Sequence, residues 1–157
     1  MMLRPTFPVI ALVTVALPGL ALADSRLDRM ETLSAQLSEA MYAHVLKIYP
    51  QAEGALPDPS WNDAIRTAAV CTLDAYEAEI GNDGVDTMLD EMEKRVAAEI
   101  DDFEAWLSNM EYDTGLTDDQ QAAIEKSCGM AKASTDKMMS DPNMPNLMKA
   151  MGAAMGG

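Results

Sequence analysis

Sulfur dominates the chemistry available to this chain. Fourteen methionines and two cysteines occur in 157 residues, and six of the methionines fall in the last stretch, MMSDPNMPNLMKAMGAAMGG, residues 138–157. Thioether sulfur prefers copper(I). Met138, Met139 and Met144 lie close enough in sequence to be read as soft-metal ligands. The single histidine, His44, stands one helical turn after Met41 and offers a histidine–methionine pair of the same chemistry. A methionine site of this kind ordinarily recruits a histidine or cysteine, and the tail contains neither, so copper is the alternative expectation and no cofactor the leading one.

The spacing of the later methionines has a plainer origin. Met144, Met148, Met151 and Met155 recur at steps of four, three and four, with Leu147 beside them. That is one face of a short amphipathic helix from about Pro145 to Ala154. Such a face docks on its own domain or, since methionine adapts to irregular surfaces, receives a protein partner or a small hydrophobic ligand. Met144, Leu147, Met148, Met151 and Met155 are the candidate binding surface.

Catalytic motifs are missing from the sequence. It has no HExxH, GxSxG, P-loop, GxGxxG or CxxCH. A di-iron carboxylate bundle needs two Glu-x-x-His pairs, and there is one histidine. Twelve acidic residues between Asp74 and Glu104 make close carboxylate pairs inevitable, so no single pair stands out for acid–base work. They read as a solvated helix face. The expectation is a protein that binds rather than catalyses, with a holdase-like chaperone or an inhibitor as a further alternative.

Residues 1–23 read apart from the rest. Arg4 precedes an apolar run from Phe7 to Leu22, and Ala21-Leu22-Ala23 supplies small residues before Asp24. This is the pattern of a secretory signal peptide cleaved between Ala23 and Asp24. The remaining chain of 157 − 23 = 134 residues suits one domain. Without Arg4, ten basic residues face 26 acidic ones, a net charge of −16. Such a charge repels nucleic acid and anionic lipid, so neither is an expected partner once the signal is removed. The expected location is the periplasm of a two-membrane bacterium, or the exterior otherwise. Oligomeric state is not legible.

Two cysteines in an exported chain argue for a disulfide, Cys71–Cys128. The elements that must position it are helical. Punctuation falls at Pro50–Pro59, at Gly81–Gly84 (GNDG), at Tyr112–Leu116 and at Asp141–Pro145. Between these marks the apolar period is that of helices. The first covers about Ser25–Tyr49, with Leu27, Met30, Leu33, Leu37, Met41, His44 and Ile48 on one stripe. The second, Ser60–Ile80, opens on Ser60 and Asp63, a capping box. The third spans Val85–Met110. The fourth, Thr117–Met139, opens T-D-D-Q, again a capping box.

The spacing therefore predicts an all-α antiparallel bundle of four main helices over residues 24–140. A Met-rich tail with a short fifth helix follows over 141–157. Alternating up and down makes helices two and four parallel. Cys71 and Cys128 each lie eleven residues past their cap, which places them at equal height. A bridge between Cα atoms within about 7 Å then requires helices two, three and four to form a triangle.

Overall fold

The computed structural model describes residues 18–97, 105 and 114–155. Among these the chain is all-α, with no strand, and Cys71 and Cys128 are bonded, their Cα atoms 5.5 Å apart. Residues 1–17 of the expected signal segment 1–23, and most of the expected third helix beyond Ala97, lie outside the described residues.

Helix α1 runs Pro18–Ile48 and continues through the Ala23–Asp24 junction. It stops at Pro50, which cannot donate a helical hydrogen bond and starts a 3-10 turn, Pro50–Ala52. Helix α2 spans Asp63–Val96. Its cap is Asn62, whose side-chain oxygen accepts from the Ile65 amide at 2.9 Å, rather than the expected Ser60. Ser60 is taken by Asp58: its backbone N–H and hydroxyl both donate to that carboxylate, at 3.0 and 2.6 Å. The same two bonds hold the Asp58 carboxyl below the usual aspartate value.

The expected GNDG turn contracts to one residue. Gly81 has φ 73° and ψ 172°, and helix resumes at Asn82. That backbone region belongs almost entirely to glycine. Gly84 is needed for another reason, since a Cβ there would stand 2.8 Å from the Ile80 Cβ. Gly81→Ala should therefore lower stability by about 1–3 kcal/mol. Urea denaturation would measure it, and an unchanged midpoint would show that the bend tolerates a side chain.

The bend folds the two halves of α2 onto each other and onto α1. Leu33, Leu73, Val85, Met88 and Leu89 form the buried core, flanked by Leu27, Met30, Tyr76, Ile80, Met92 and Val96. Polar pairs fix the directions. Ascending α1, Arg26 meets Glu77, Glu31 meets Arg66, and Ser34 accepts from the Trp61 indole. These partners descend from Glu77 to Trp61. Along the other half Arg26 meets Asp86, and Arg29 meets Asp90 and Glu93, an ascending order. So α1 is antiparallel to 63–80 and parallel to 82–96.

Helix α3, Asp118–Cys128, begins with the expected capping box between Thr117 and Gln120. The expected fourth helix then breaks. Gly129 adopts the left-handed conformation, φ 69°, closing α3 and opening helix α4, Met130–Ser140. Helix α5 is Met144–Met155.

The direction of α3 also differs from expectation. Gln120 donates to Glu79 at 2.8 Å while Cys128 is bonded to Cys71, so α3 runs antiparallel to 63–80. The equal count from each cap did not report equal height. Strict alternation would start this helix at the far end of the third one. Instead Gly115 lies against Ile80, and α3 starts at the Gly81 end. Four uninterrupted alternating helices are thus not what the described residues form, and the triangle derived from them loses its premise.

Candidate functional site

Between Ser34 and Val45, α1 exchanges one set of neighbours for another. Its predicted stripe continues through Met41 and Ile48, yet both are exposed. The packing there is made by Val45, Leu46 and Tyr49, turned to a different side of the helix. They meet Ala52, Ala55 and Leu56 of the turn and loop, and Met144, Leu147, Ala150 and Met151 of α5. A helix face is covered only where a neighbour reaches it, and here the neighbour is the 3-10 turn, against which α5 also packs.

Polar bonds close this second cluster. Asn143 donates through its side-chain amide to the Leu56 carbonyl at 3.1 Å. The Asp141 carboxylate accepts from the Asp58 amide at 2.9 Å, and Lys137 donates to the Asp58 carbonyl. Gln51 donates to the Ala150 carbonyl at 3.1 Å. The Asp141–Asn143 break is therefore a clasp between the tail and the 53–60 loop. Tyr42 lies near it. Burial, and then the charges of Asp141 and Asp58, push its hydroxyl above the usual tyrosine value.

The clasp divides the tail methionines. Of the five residues expected to make a binding surface, Met144, Leu147 and Met151 are packed into the cluster, with Leu147 only 9% exposed. Met148 points away and is 61% exposed. The Met155 side chain lies outside the described residues. On α4, Met138 and Met139 are 47% and 66% exposed. The soft-metal candidates are split accordingly. Met144 is inside the second cluster, whereas Met41, Met138 and Met139 belong to neither cluster, and His44 is half-buried. Among the described residues, no three His, Cys, Asp or Glu side chains are grouped to hold a metal ion.

The acidic residues of α2 are not a bare solvated face. Arg26, 5% exposed, donates to Asp86 through Nε at 2.7 Å and Nη2 at 2.9 Å. It also donates to Glu77 at 3.1 Å, to the Asn82 side chain at 2.6 Å and to the Asn82 carbonyl at 3.0 Å. All five guanidinium donors are used, and the acceptors flank the Gly81 bend on both sides. Arg29 similarly joins Asp90 and Glu93. Sequence reasoning weighed the acids and passed over these two arginines. The available signal was their i, i+3 spacing beside Leu27 and Met30, which places them at the edge of the core stripe. Glu99, Asp101, Asp102 and Glu104 lie outside the described residues.

A second surface feature surrounds the disulfide. Cys71 is exposed and Cys128 half-buried, at the floor of an open groove lined by Ala64, Thr67, Ala68, Ser127, Gly129 and Ala133. The Ser127 hydroxyl lies 3.8 Å from the Cys128 sulfur.

No helix of the described residues is long and apolar enough to cross a membrane. Comparison with protein families, with curated proteins and with solved structures finds no match to this chain.

Proposed function

We propose that this chain is an exported, non-catalytic binding protein that engages basic, amphipathic polypeptide segments through exposed methionines on an acidic body. The observation that carries the reading is the exposure of Met138, Met139 and Met148, three large flexible apolar side chains that α4 and α5 leave in solvent. Unbranched thioether side chains adapt to partners of different shape, the property used by promiscuous binding surfaces. The net charge of −15 adds long-range attraction for a cationic segment and repels anionic ones. The disulfide and the signal-like pattern of residues 1–23 support export to an oxidising compartment. The partner surface is narrower than the five-residue tail face of the sequence reading, because Met144, Leu147 and Met151 already pack within the molecule.

The test is titration of the disulfide-bonded protein with a lysine–leucine amphipathic peptide. The triple variant Met138→Ser, Met139→Ser, Met148→Ser should bind at least about tenfold more weakly, since burying even one methionine is worth about 1.5 kcal/mol. Its circular dichroism should be unchanged, because all three side chains are exposed. Equal affinity of the two proteins, or no binding by either, overturns the reading.

A further inference from the structure

We propose that the Cys71–Cys128 bond is a thiol–disulfide exchange site for a dithiol protein, and that its reduction releases α3 and α4 from α2 while the main core stays folded. Two independent features of the structure carry this. The first is access. Structural disulfides are commonly sealed under side chains, but Cys71 is exposed, and the groove around the bond is lined by small residues, alanine, glycine, serine and threonine, with one carboxylate, Asp63. No large side chain stands among these residues to block an approaching thiolate, and access is a main determinant of exchange rate.

The second is how little else holds the bonded segment. Helix α3 buries one residue, Ile124, and α4 buries none. Their remaining ties are shallow packing against α2 by half-buried side chains and polar contacts such as Gln120 with Glu79 and Lys137 with Asp58. Polar contacts of that kind contribute little individually. By contrast Leu73, Val85, Met88 and Leu89 are buried within the α1–α2 core, and that core contains no residue of α3 or α4. Helix α5 is docked separately through Leu147. The covalent bond is thus the strongest single tether of α3 and α4 to α2, beside packing that buries only Ile124.

The step balances as a two-electron exchange. A thiolate of the partner attacks the Cys71 sulfur, the more exposed of the pair. The Cys71–Cys128 bond breaks, and Cys128 leaves as a thiolate beside the Ser127 hydroxyl and takes up a proton. The partner's second thiol, deprotonated, attacks the mixed disulfide and frees Cys71, which is protonated in turn. This chain ends as a dithiol, reduced by two electrons, and the partner as a disulfide, oxidised by two.

The experiment treats folded, bonded protein with dithiothreitol and follows thiol release and amide hydrogen exchange. Reduction without denaturant should proceed within about tenfold of the rate in urea. Amides of residues 118–140 should then lose protection while 65–73 and 85–89 keep theirs. A Cys71→Ser, Cys128→Ser chain should show the same pattern with no reductant present. A CxxC oxidoreductase whose resolving cysteine is replaced by serine should be trapped on Cys71. The proposal is overturned if the bond resists reduction until the protein is unfolded, if the trapped partner sits on Cys128, or if protection is lost throughout the core as well or nowhere.

Discussion

Replacing Cys71 and Cys128 together by serine should lower the free energy of unfolding by up to about 4 kcal/mol, the chain-entropy value for a closed loop of 57 residues. The bond restrains the unfolded chain, so its removal favours unfolding without breaking any core contact. That figure is a ceiling for a specific reason. It assumes that the folded state is the same with and without the bond. If α3 and α4 come loose in the serine variant, the loosened state lies below the fully docked one, and the measured loss is smaller. The slope of free energy against urea distinguishes the two cases. Full docking keeps the slope, because the same area is exposed on unfolding. Release of α3 and α4 lowers it, because part of that area is exposed beforehand. A fall in both midpoint and slope is the expected result. A midpoint that falls with no change of slope would mean that packing holds α3 more firmly than its single buried residue, Ile124, implies.

The contrast between what the sequence disclosed and what it concealed follows the range of the interactions. Most local signals held: the T-D-D-Q box caps α3, Gly81 marks the bend, and Asp141–Asn143 separates α4 from α5, whereas the Ser60 box gave way to Asn62. The Met144–Met151 spacing did specify a helix, because four-three steps report a face whatever lies opposite. Which side of α1 that face would meet was not written in the α1 stripe. Periodicity identifies Met41 and Ile48 with the same side as Leu33, yet the partner for that side ends near Trp61. Val45 and Tyr49 became the contact because the 3-10 turn after Pro50 carries the chain back along another flank. Gly129 stands between Cys128 and Met130 within the expected fourth helix, Thr117–Met139, and its left-handed conformation splits that helix in two. The exposed methionines and the accessible disulfide were hidden for the same reason: exposure is a property of neighbours distant in sequence.

Replacing Arg26 by methionine should destabilise the protein by about 2–3 kcal/mol at neutral pH, and the difference from the parent should shrink in acid. The side chain is buried and spends all five donors on the segment around Gly81. Methionine fills much of its volume, so the loss reports hydrogen bonding and charge more than cavity formation. Its partners Glu77 and Asp86 are 45% and 52% exposed. They regain water when the guanidinium goes, which keeps the cost at the lower end of the range for a broken buried pair. Arg26→Lys should recover part of the loss, because an ammonium restores the charge but not the two-pronged bond to Asp86. The pH dependence follows from the Asp86 carboxyl, held below the ordinary 3.8 first by its hydrogen bond from Arg26 and then by the charges of Arg26 and Arg29, against the opposing effect of burial. A carboxyl depressed in the folded state contributes stability that is present above its unfolded value. That contribution disappears as pH falls below 3.8 and through the lower folded value. In the methionine variant Asp86 loses this partner, so its contribution in that window is small. The two stability curves should lie apart at pH 7 and converge below pH 3.8. Curves that remain parallel down to the acid limit would show that Arg26 acts through packing alone, and the bend at Gly81 would then be held by its apolar neighbours rather than by this guanidinium.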